Sequence, residues 1–170
     1  ITRSYGDTLE RATAPGSHLR VMPDHAGAAA YVNANRKADD LLIVTDWLAQ
    51  AVYSHRVDYW LRNKAYLHQT YSAPQSAKRY DIYTGTEVLA SLTALKTLIA
   101  ERSDRQIWLI VSVPFEYAGL HLSDKILTFL QQHEQRVVFR ARDRVSKVYL
   151  FPASTKSLIE RGTDFVDMKK

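Results

Sequence analysis

Short apolar runs alternate along this chain with stretches of helical spacing. "PDHAGAAAYVNANRK" predicts a helix from Pro23, with proline in the first turn and Asp24 near the positive end of the dipole. Ala28, Tyr31 and Val32 would share its buried face. "LLIVTD" (41–46) reads as a short buried strand. "WLAQAVYSH" (47–55) follows as about two helical turns, with Leu48, Ala51 and Val52 at core spacing, and "VDYWL" (57–61) as a second strand. Residues 62 to 86 carry little periodicity but several tyrosines, at Tyr66, Tyr71, Tyr80 and Tyr83. Long irregular segments in compact domains are mobile or functional, so the stretch from Tyr66 to Gly85 is expected to be one or the other.

Regular patterning resumes at "EVLAS". A helix capped by Ser91 should follow, with Leu92, Leu95 and Ile99 on one face. "RQIWLIVSV" (105–113) is the best buried strand, and a helix from near Ser123 would turn Ile126, Leu127 and Leu130 inward. "RVVFRAR" and "KVYLFP" read as two arms of a hairpin around "DRVS". Strands alternating with helices predict an α/β, Rossmann-like three-layer domain, its sheet mostly parallel and finished by this C-terminal antiparallel hairpin. Residues 1–22 are expected as an irregular lead-in, 23–152 as a single domain and 153–170 as a weakly ordered tail.

Composition narrows the chemistry. Of 170 residues, 46% are hydrophobic and 24% charged, as in globular rather than disordered chains. No apolar run approaches the roughly 20 residues of a membrane span. The chain opens on "ITRSYGDT" without a methionine, as expected of a fragment or processed product. It has no cysteine, which excludes disulfides, thiolate catalysis and cysteine-held zinc. The formal charge of +5 favours an anionic partner such as phospholipid, a phosphorylated substrate or nucleic acid.

Glycines at 6, 16, 27, 85, 119 and 162 make neither GxGxxG nor a P-loop, so no dinucleotide cofactor is expected. The six histidines form no i,i+4 pair and no HExxH, and there is no GxSxG elbow. No metal is expected. Asp46 stands at the carboxyl end of the first strand, where open α/β sheets place ligands, and Asp58 is in the second strand region. The favoured alternative for both is a helix N-cap or a strand-end ion pair. "RYDIYTG" adds Tyr80, Asp81 and Tyr83 as candidate substrate contacts, shaping a cleft with the two aspartates for a sugar or lipid phosphate. Strand parity in "RVVFRARDRVSK" puts Arg136, Arg140, Arg142 and Arg144 on one face and Val137, Phe139 and Ala141 on the other. That stripe is either a charge-protected edge or a contact for anionic lipid.

"PDHAGAAAYVNANRKADDLLIVTD", "HRVDYWL", "RYDIYTG" and "DRQIWLIVS", spanning roughly residues 23 to 115, resemble the soluble C-terminal region of large membrane glycosyltransferases. These enzymes take a sugar from a phospholipid carrier and are related to protein O-mannosyltransferases and aminoarabinose transferases. The resemblance implies an accessory, non-catalytic domain on the extracytoplasmic side, partnered by the membrane portion of the same polypeptide and close to anionic lipid or polyprenyl-phosphate sugar. The family's catalytic acidic residues lie in a loop between early membrane helices, and nothing here matches that loop. Two other classes compete. One is a small stand-alone enzyme acting on a nucleotide or sugar phosphate through Asp46, Asp58 and the tyrosine-rich segment. The other, a nucleic-acid binder, is disfavoured because the basic residues are dispersed and no binding signature appears.

Overall fold

The computed structural model describes residues 23–62, 70–72, 74, 78–112 and 122–154, with the side chains of Trp47 and Leu48 outside that set. The expected lead-in (1–22), Tyr66 and nearly all of the expected tail also lie outside it. In chain order the elements are α1 (His25–Asn35), β1 (Leu41–Val44), α2 (Trp47–Tyr53), β2 (Tyr59–Leu61), β3 (Thr70–Ser72), β4 (Arg79–Asp81), β5 (Glu87–Leu89), α3 (Leu92–Glu101), β6 (Ile107–Val111), α4 (Asp124–Gln132), β7 (Val137–Arg140) and β8 (Lys147–Phe151). A 3-10 turn, Glu134–Arg136, joins α4 to β7.

Each helix starts on a side chain that accepts from the N–H three residues on. The caps are Asp24 to Gly27, Asp46 to Ala49, Ser91 to Ala94 and Ser123 to Ile126. Such a cap contributes about 1 kcal/mol. Gly27 has a second reason to be glycine: a Cβ there would overlap the Asp24 carboxylate that caps its own helix.

The strands form one sheet in the order β3-β4-β5-β2-β1-β6-β8-β7. This corrects the expectation of a mostly parallel, Rossmann-like sheet. Only β1–β2, β1–β6 and β2–β5 pair in parallel. The pairs β3–β4, β4–β5, β6–β8 and β7–β8 are antiparallel, so the sheet is mixed and mostly antiparallel. The C-terminal hairpin is present, and β8 inserts beside β6. Two further strands arise within the segment read as irregular, where β3 and β4 extend the other edge.

Helices cover both faces. Leu95 and Leu98 of α3 and Ile126, Phe129 and Leu130 of α4 pack on Leu41, Ile43, Leu61, Leu109 and Tyr149. Ala28 and Val32 of α1 cover Leu42, Val44, Trp60, Trp108 and Val148 on the opposite face. Burial on both sides explains why "LLIV" and "IWLIV" are continuous apolar runs rather than alternating ones.

Two local expectations reverse. Helix α2 was read with Ala51 and Val52 in the core, yet both are exposed, Val52 at 75%. Among its described side chains the fully buried one is Gln50, whose amide donates to the His25 carbonyl and accepts from the Ser54 hydroxyl. In β7, the register skips Val138: Val137 pairs with Tyr149 but Phe139 with Val148. This bulge shifts the parity by one. Val137 therefore packs on the α3–α4 side, while Phe139 packs on the α1 side and stacks on Tyr31 at 4.6 Å.

Candidate functional site

The residues singled out by sequence do not gather in one cleft. Asp46 caps α2 at the carboxyl end of β1, with its second oxygen 3.8 Å from His25 Nε2. Asp58 sits beside the amino end of β1: one oxygen accepts from Leu42 N at 2.9 Å and the other pairs with Arg56 at 2.6 Å. The two carboxylates are thus on opposite rims of the sheet, roughly 13 Å apart along the strand. Asp81 lies on the Asp58 rim, two strands away, and is wholly buried. Its Oδ1 accepts from Tyr83 N, Thr84 N and the Thr84 hydroxyl, fixing the β4–β5 turn that Gly85 completes at φ 68°. Tyr83 projects from that turn and is 66% exposed.

The arginines are dispersed as well. Arg136 belongs to the 3-10 turn and lies over the Phe151 ring at 5.4 Å, and Arg140 pairs with Glu134 at 2.6 Å. Arg142 and Arg144 are exposed in the hairpin turn, Arg144 at φ 58°. The expected four-arginine face is therefore broken, because β7 ends at Arg140 and its bulge shifts the register. A residue that sequence reasoning passed over, Asp143, organises the turn. Its buried carboxylate accepts from Val145 N, Ser146 N, the Ser146 hydroxyl and Asp24 N, tying the hairpin to the start of α1.

Tyr80 alone of the nominated residues joins a larger constellation. Its register partners are Glu87 on one side and Tyr71 on the other, and Glu87 in turn pairs with Tyr59. Paired residues present their side chains to the same face. Tyr59, Glu87, Tyr80 and Tyr71 therefore form one row across β2, β5, β4 and β3. The Tyr71 and Tyr80 rings stack at 5.8 Å, and Lys78 Nζ donates to Glu87 at 2.9 Å. That contact, first among its causes, raises the Lys78 ammonium above its ordinary value. Beside the row, between Tyr59 and Glu87 and the Thr93, Thr97 and Glu101 side of α3, runs a groove of about 460 Å³. The signal for it is local: "VDYWL" and "EVLAS" each place an amphipathic or polar residue, Tyr59 and Glu87, on the groove side next to α3. Only the strand order, however, brings them next to Tyr80.

Among the described residues there is no group of three His, Asp or Glu that could hold a metal, and no helix long and apolar enough to cross a membrane. Comparison of the chain with family models, with curated proteins and with solved structures finds no match.

Proposed function

We propose that this is an accessory, non-catalytic domain of a membrane glycosyltransferase that draws its sugar from a polyprenyl-phosphate carrier. It would stand on the extracytoplasmic side, next to the membrane portion of the same polypeptide. The resemblance of residues 23 to 115 supplies the family. The observation that carries the non-catalytic part is the engagement of the rim carboxylates. Asp46, Asp58 and Asp81 each accept from backbone N–H groups, and the first two lie on opposite ends of β1. A small enzyme built on Asp46 and Asp58 needs them in one cleft, and this geometry gives that reading no support. Arg142 and Arg144, exposed and without an ion pair among the described residues, favour a neighbouring anionic headgroup.

The test is the complete reading frame that encodes this chain. The proposal expects several apolar spans of about 20 residues each on the same polypeptide. It also expects acidic residues in a loop between the early spans. A complete frame without membrane spans overturns it.

A further inference from the structure

The row of Tyr59, Glu87, Tyr80 and Tyr71 runs from the core out to the β3 edge of the sheet. Among the described residues, α1, α3 and α4 pack on the central strands, while in the row Tyr71 is 48% exposed and Tyr80 half-buried. Four adjacent strands set the length of the row at roughly 14 Å. The stacked Tyr71 and Tyr80 rings leave part of a flat, weakly polar surface exposed, and tyrosine hydroxyls offer donors and acceptors. Glu87 lies within the row with Lys78 paired to it, and Thr97 and Glu101 wall the groove beside it.

Charge decides what this shelf would hold. A platform for single-stranded nucleic acid combines stacking rings with a positive groove. Here the charges balance: Lys78 is paired with Glu87, and Glu101 and Arg102 line the same groove. A carboxylate in the middle of the ring row opposes a phosphate backbone. The same carboxylate, with its ammonium partner and threonine hydroxyls, suits a ligand rich in neutral hydroxyls. The groove also falls in the size range of small-ligand sites, roughly 300–1,000 Å³.

We infer that this shelf is a saccharide-binding site: the ring surface that the stacked Tyr71 and Tyr80 pair leaves exposed packs against a sugar, while Glu87, Lys78 and Thr97 bond the hydroxyls. This goes beyond the accessory-domain reading, which assigns the domain a neighbouring anionic headgroup at Arg142 and Arg144 but no saccharide site of its own. The two fail separately. A reading frame without membrane spans leaves saccharide binding intact, and absence of binding leaves the transferase reading intact.

The experiment uses the full 170-residue chain, labelled with ¹⁵N. It is titrated with a panel of short neutral oligosaccharides built from glucose, galactose, mannose and arabinose, and in parallel with oligouridylate. At least one saccharide should shift the amides of Tyr59, Tyr80, Glu87 and Thr97 in a saturable way. Tyr80→Ala should weaken that binding about tenfold. Tyr71→Ala, on the exposed edge strand, and Glu87→Gln are alternatives that keep the test decisive if Tyr80→Ala does not fold. Arg140→Gln, remote from the shelf, should bind as the parent does. No shift from any saccharide at millimolar concentration overturns the inference. So does a shelf that answers to oligouridylate instead, or saccharide binding unaffected by Tyr71→Ala and Glu87→Gln.

Discussion

Glu134 gathers Lys147, Arg140 and Tyr149 around one carboxylate, at 2.9, 2.6 and 3.1 Å. The Lys147 contact, foremost, and the Arg140 contact hold this carboxyl at about 2 against the opposing effect of burial, below its usual 4.5. Burial and the facing Glu134 charge push the Tyr149 phenol up. Because the folded value of Glu134 is depressed, its contribution to stability is full above pH 4.5 and is lost as pH falls toward 2. With 40% of the side chain exposed, solvent screening limits that contribution to about 1 kcal/mol. Glu134→Gln should therefore lower urea stability by this amount at neutral pH, and the gap should close between pH 4.5 and pH 2. A gap that persists undiminished at the acid end would contradict this reading. Little of the cluster was legible in the sequence. An aspartate or serine ahead of a helical run announces its capping role, as Asp46 and Ser91 do, because cap and target are three residues apart. Lys147 and Tyr149 reach Glu134 only through the pairing of β7 with β8.

At the scale of elements, α2 and β7 show where periodicity misleads. Two helical turns leave room for more than one inward face, and of the expected apolar face of "WLAQAVY" Ala51 and Val52 point outward, while the Leu48 side chain lies outside the described residues. The polar residue goes in because its amide has fixed partners in His25 and Ser54. Burying Gln50 without those bonds would be costly, so Gln50→Ala, which strands the Ser54 hydroxyl and opens a cavity, should destabilise by about 2 kcal/mol. Val52→Ala, at 75% exposure, should stay within about 0.5 kcal/mol of the parent. Thermal or urea unfolding of the pair decides it; the reverse order would return Val52 to the core. In β7 the strand and hairpin were readable from "RVVFRAR" and "KVYLFP". The bulge was not, since nothing local distinguishes Val138 from its neighbours. One skipped residue was enough to divide Val137 from Phe139, and the arginine stripe dissolves because Arg136 precedes β7 and Arg142 and Arg144 follow it.

At the scale of the whole molecule, the legible part was the parallel centre. Strands β1 and β6, and to a lesser extent β2 and β5, are buried on both faces and announce themselves as apolar runs. The outer strands "TYS" and "RYD" bury no apolar side chain fully and carry no such signal, and they join the sheet only through the pairing of β4 with β5. That is why the sheet was expected to be mostly parallel and is mostly antiparallel. It is also why the tyrosine row went unseen: it exists only once β3 and β4 join β5. The central claim is that the acidic side chains on the sheet rims hold the backbone rather than carry out chemistry. Urea unfolding of Asp46→Ala, Asp58→Ala and Asp81→Ala, measured side by side with the parent chain, tests it most directly. The account predicts a loss of about 1 kcal/mol for Asp46, a helix cap. It predicts about 2 kcal/mol for Asp81, whose removal takes the shared acceptor from Tyr83 N and Thr84 N and loosens the turn, and a value between them for Asp58. Variants as stable as the parent, or more stable, would contradict it, because carboxylates kept for chemistry are held at a cost to stability.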